Sequence, residues 1–81
     1  MIYVGVDIAS EKHDYFMIHD ETGVVFSRSA VTIPNSEVGY KKLHSDISVF
    51  CGAIGDSNVR IGLESTGIYH TNIIRFLLKQ N

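Results

Sequence analysis

A segment of helical period sits between short segments of strand character, and this order constrains the chain more than any other feature. Leu43, Ile47, Phe50, Cys51 and Ile54 recur at helical spacing, while Lys41, Lys42, Asp46 and Ser48 take the other faces. Pro34-Asn35-Ser36 opens this helix, with Asn35 or Ser36 as N-cap and Glu37 in the first turn. Gly52 and Gly55, followed by Asp56-Ser57-Asn58, end it. Before it, Ile2 to Ile8 is rich in β-branched residues and reads as strand one, with Val4, Val6 and Ile8 on one face and Tyr3, Gly5 and Asp7 on the other. Asp14 to Asp20 reads as strand two, Glu21-Thr22-Gly23 as a turn, and Val24 to Ser29, extending toward Ile33, as strand three. After it, Val59 to Leu63 reads as strand four, Ser65-Thr66-Gly67 as a loop and cap, and Tyr69, Ile73, Phe76 and Leu77 mark a second helix from Ile68.

The order is therefore β-β-β-α-β-α. A strand, a helix and a strand in one sheet form a right-handed parallel crossover in nearly every case. Returning strand four to the side of strand one gives the sheet order 3-2-1-4, with strands one and four parallel. The fold class is α/β, a mixed sheet with helices packed on it.

Length and composition bound what such a sheet can do. Eighty-one residues make one domain, and at this size roughly 60% of the unfolded surface is buried, so stability is marginal. Nine acids against seven Lys and Arg leave a net charge of −2, which excludes a chain that holds nucleic acid by a strong basic field of its own. Cys51 is the only cysteine, so there is neither an internal disulfide nor a Cys-x-x-Cys metal frame. The start lacks a basic n-region and Asp7 interrupts its apolar run, so it is not read as a signal peptide. Ile73 to Leu78 is too short to span a bilayer and contains Arg75. A cytoplasmic location is expected.

Two carboxylates occupy matching places. Asp7 lies near the end of strand one and Glu64 immediately after strand four; Gly5 and Gly62 each stand two residues before an acid. If the strands are neighbours, about 4.8 Å apart, the acids meet at one edge of the sheet with space beside them. Two ionised carboxylates about 5 Å apart repel by roughly 3 kcal/mol at an effective dielectric near 20. Either one is protonated or a divalent cation bridges them, and Mg²⁺ accepts one or two carboxylates while keeping positions for water or phosphate. The plainer alternative makes Asp7 a strand-end turn residue and Glu64 an acid favouring the start of the second helix.

The segment Tyr3-Val-Gly-Val-Asp-Ile-Ala-Ser-Glu-Lys-His-Asp14 resembles the opening of the DEDD transposases of bacterial insertion sequences, in the insertion-sequence 110 group. Ile61-Gly-Leu-Glu-Ser-Thr-Gly-Ile-Tyr69 resembles their second acidic motif, and Ile74-Arg-Phe-Leu-Leu78 continues it. The resemblance implies a ribonuclease H-like fold similar to Holliday-junction resolvases, with residues 1–81 as the N-terminal half of the catalytic domain. It further implies four acids holding two Mg²⁺ (or Mn²⁺) ions, with Asp7 matching the first and Glu64 the second. The other two acids, and a C-terminal domain carrying a serine used in strand transfer, are expected beyond Asn81. DNA is the implied substrate and a structured RNA that aligns donor and target DNA the implied partner. Ser10 stands where many members carry Lys.

The remaining residues have ordinary readings. His13, His19, His44 and His70 lack the usual zinc spacings; His13 is the one near Asp7 and matches the family pattern. Cys51 reads as a small core residue, Tyr69 as packing, and Arg60, Lys41 and Lys42 as solvated. Two alternatives compete with the transposase: a sugar-kinase or actin-like ATPase start, whose phosphate turn needs Gly where this chain has Ala9, and a non-enzymatic interaction module. Strands three and four would both be sheet edges, and exposed edges favour homo-oligomers.

Overall fold

Strand β1 (Ile2–Ile8) is the central strand, paired antiparallel with β2 (Lys12–His19) and parallel with β4 (Val59–Ser65). Strand β3 (Val31–Pro34) pairs antiparallel with β2, so the sheet order is β3-β2-β1-β4. A computed structural model supplies this architecture and describes residues 1–9, 11–65 and 76–78. Helix α1 (Glu37–Ile54) makes the crossover from β3 to β4. Phe76 to Leu78 are helical; the rest of the second helix expected from Ile68, with Tyr69, His70 and Ile73, lies outside the described residues.

The alternation of β1 explains the layering. Ile2, Val4, Val6 and Ile8 are buried against α1, and Tyr15, Met17 and Ile33 join them from β2 and β3. From α1 come Tyr40, Leu43 and Phe50, with Ile47, Cys51 and Ile54 partly buried beside them. Ser36 occupies the N-cap in extended geometry without a side-chain cap bond, and Gly55 ends the helix at φ 78°, where its N–H caps the Cys51 carbonyl. Among the described residues no helix is long and apolar enough to cross a membrane.

Three boundaries differ from the sequence reading. Strand three is not Val24 to Ser29: only Val25 bridges to Ile18, and the regular strand begins at Val31. Phe26 still faces the core, packed edge-on against Phe50 at 5.7 Å, and the break falls in the exposed polar run Ser27-Arg28-Ser29 that follows it. The chain re-enters the sheet once Val31 to Pro34 can pair with Lys12 to Tyr15. Strand two starts earlier than Asp14, at Lys12, because the short β1–β2 connection lets pairing begin at Ile8 and His13. Strand four continues past Leu63 through Glu64 to Ser65, since β1 offers Asp7 and Ile8 as partners; Glu64 therefore lies inside the strand rather than after it.

Candidate active site

The sheet face away from α1 carries Tyr3, Gly5 and Asp7 from β1, Asp14 and Phe16 from β2, and Gly62 and Glu64 from β4. Register fixes their neighbours. Asp7 pairs with Glu64 across the parallel ladder and with Asp14 across the antiparallel one. Directly paired residues project to the same side, so Asp14, Asp7 and Glu64 form a row across three adjacent strands, each step about 4.8 Å. Thr32 extends the row into β3, and its hydroxyl donates to Asp14 Oδ1 at 2.5 Å.

Below this row lies a groove of about 600 Å³ lined by Gly5, Asp7, Asp14, Phe16, Gly62 and Glu64 among others. The two glycines are register partners, so the floor between β1 and β4 is bare backbone. The Phe16 ring closes one side by lying over Gly5: a Cβ on Gly5 would stand 2.6 Å from Phe16 Cε1. The ring is itself 56% exposed, so it forms a wall of the groove and not part of the core.

The structure thus brings the two sequence-predicted acids, Asp7 and Glu64, together on one face. Asp14 is the addition that sequence reasoning missed. The available signal was parity within strand two: Asp14 shares its face with Phe16 and opposes His13 and Tyr15, which are buried. Without the register, nothing in the sequence says that it stands opposite Asp7. Among the described residues no three His, Cys, Asp or Glu side chains converge on a single ion; the row offers two adjacent carboxylates at a time. Such an all-oxygen donor pair suits a hard cation of the Mg²⁺ or Mn²⁺ kind.

A family model described as a transposase, that of the DEDD transposases of the insertion-sequence 110 group, matches residues 4–81. The chain belongs to that family. Its membership makes this a DNA transposase sequence at the level of class and sets aside the sugar-kinase and actin-like reading. A comparison with curated proteins found no match.

Several other ionisable groups of the transposase chain serve its framework. His19, 5% exposed, has Nδ1 within 2.8 Å of the Thr22 hydroxyl and donates from Nε2 to Asp56 Oδ2 (3.1 Å). Asp56 also accepts from the Asn58 N–H at 2.9 Å and meets the Met1 ammonium at 3.0 Å. These contacts, the Asn58 amide first, hold the Asp56 carboxyl down at about 2. The Tyr15 hydroxyl donates to Asp46, which also receives Lys42 Nζ at 2.9 Å. Cys51 is a partly buried core residue whose thiol is pushed up chiefly by burial. His13, fully buried, belongs to a separate cluster taken up below.

Proposed function

We propose that this chain contributes the first two acids, Asp7 and Glu64, of a two-cation centre with which the complete transposase cleaves and rejoins DNA phosphodiesters. The observation that carries the reading is the placement of these residues as register partners on a glycine-floored groove, in a chain whose family is a transposase family. Bound there, a pair of divalent cations supplies Lewis-acid stabilisation of the charge that develops on phosphate oxygens.

The chain's own residues do the rest. Asp7 and Glu64 hold cations and fix their place along the sheet edge. Gly62, with nothing within 4 Å of where a Cβ would stand, leaves space for a substrate strand to approach the carboxylates, while the Phe16 ring covers Gly5. The row of like charges favours cation entry, because a divalent ion offsets the repulsion between adjacent carboxylates. Two further acids outside these residues and a structured RNA that aligns the DNA partners come with the family resemblance, and a homo-oligomeric assembly follows from the exposed sheet edges.

Titration of the chain with Mn²⁺, followed by calorimetry and by manganese EPR, tests the reading. Weak binding is expected, without cleavage of a nicked or branched DNA substrate, since two carboxylates leave most of the coordination sphere to water. Asp7→Asn and Glu64→Gln should each abolish it. Metal-dependent nicking that persists in Asp7→Asn overturns the assignment.

A further inference from the structure

Among the described residues His13 is the one histidine with 0% exposure, and it sits at the pole of the sheet where Asp7 and Glu64 lie. It pairs in register with Ile8, immediately after Asp7. The backbone N–H of Ala9 is shared between the Lys12 carbonyl at 3.2 Å and His13 Nδ1 at 3.3 Å, and His13 Nε2 lies 3.1 Å from Asn35 Oδ1. An amide N–H can only donate, so Nδ1 is the bare nitrogen and Nε2 carries the proton that Asn35 accepts. The Tyr40 hydroxyl donates to the same Asn35 oxygen, and the Tyr40 ring lies parallel to the imidazole, 8° from coplanar at 6.2 Å. Asn35 reaches the far end of the β1–β2 connection as well, where its backbone N–H donates to the Glu11 carbonyl at 2.9 Å.

Beyond the Ala9 to Lys12 backbone bond, one buried assembly therefore reaches both ends of the connection after Asp7: Ala9 through the imidazole, and Glu11 through Asn35. That assembly is anchored in turn on the end of β3 and the first turn of α1. Of the groups involved, only a side chain with an acceptor on one side and a donor on the other, at the separation of the two imidazole nitrogens, can bridge Ala9 to Asn35.

We propose that His13 is a positioning residue for the cation site: by tying the Ala9 amide, which the Lys12 carbonyl also accepts, to Asn35, it steadies the strand end that presents Asp7. The proposal rests on the reading of Asp7 as a cation ligand. Residues that orient ligands without touching the metal change its affinity by about 10- to 100-fold when altered. Because His13 acts through backbone two residues away from Asp7, the low end of that range applies.

The test is Mn²⁺ affinity of the 81-residue chain and its variants. His13→Leu should weaken Mn²⁺ by about tenfold, while His13→Gln, which keeps an acceptor and a donor, should stay within about threefold of the parent. Met17→Ala, a core truncation farther along β2, controls for lost stability and should leave Mn²⁺ affinity unchanged despite a lower melting temperature. Should His13→Leu fail to fold, Asn35→Ala removes the anchor, leaves the imidazole in place, and should weaken Mn²⁺ in the same direction. Unchanged affinity in His13→Leu, or an equal loss in Met17→Ala, overturns the positioning role while Asp7→Asn still abolishes binding. Mn²⁺ binding indifferent to Asp7→Asn overturns the cation reading itself, and the role of His13 falls with it.

Discussion

Asp7 of β1 and Glu64 of β4 are register partners in a parallel ladder, with Asp14 facing Asp7 from the other side. Asp7 thus has a carboxylate neighbour on both flanks, whereas Glu64 has one.

That asymmetry has a measurable effect on stability without metal. Exposed carboxylates about 5 Å apart repel by about 1 kcal/mol when water screens them. Asp7→Asn relieves two such contacts and Glu64→Gln one, so both should raise the urea midpoint in EDTA at low salt, Asp7→Asn by more. The gain should shrink with added NaCl, and Mn²⁺ should stabilise the parent chain but not Asp7→Asn. Destabilisation by Asp7→Asn would contradict the expected repulsion.

Tyr15 is 1% exposed and its hydroxyl donates to Asp46. Burial first, and the Asp46 carboxylate second, push its ionisation well above the usual tyrosine value of 10.0. Its contribution is whole below pH 10; above that the unfolded chain ionises while the folded chain stays neutral, so stability falls as pH rises. Tyr15→Phe should cost about 1–2 kcal/mol at neutral pH. It should also flatten the alkaline limb of a denaturation-midpoint profile. An unchanged limb would place the alkaline loss elsewhere.

Asp56 gives the acid counterpart. Its carboxyl is lowered from 3.8 to about 2 by the Asn58 amide, then the terminal ammonium, then His19. The stability it contributes is complete above pH 4 and is lost as pH falls toward 2. Asp56→Asn should lower stability at neutral pH and make it less steep between pH 4 and 2, as read by thermal melts across that range.

Two glycines with close neighbours should respond differently to the same methyl group. A Cβ at Gly5 meets only the ring of Phe16, which is more than half exposed and can swing outward; Gly5→Ala should cost about 1 kcal/mol or less. A Cβ at Gly39 falls on the backbone carbonyl of Pro34, which the β3–α1 junction holds in place. Gly39→Ala should cost about 3 kcal/mol. Equal denaturant midpoints for the two variants would refute the distinction.

Much of this fold was legible because one periodicity dominates each well-read element. The bounds of β1 follow from its strict alternation, and the parallel neighbour of β1 follows from crossover handedness. Strand three was misplaced because Val24, Val25 and Phe26 have strand propensity, while the exposed polar run Ser27 to Ser29 leaves the sheet before Val31 rejoins it. Asp7 and Glu64 could be paired from their matching Gly-x-acid spacing. Asp14 could not, since its place opposite Asp7 depends on the register of the β1–β2 hairpin. Nor could the link from His13 to Asn35, whose partners lie on elements whose approach is set only by packing.

Strand β1 is hydrogen-bonded on both sides, whereas β4 has β1 as its one neighbour among the described residues. One acid is consequently mounted on a strand held on both flanks and the other on a strand held on one. In the proposed cation site, adjustment of the gap between them would fall to the outer member, with Asp7 as the reference.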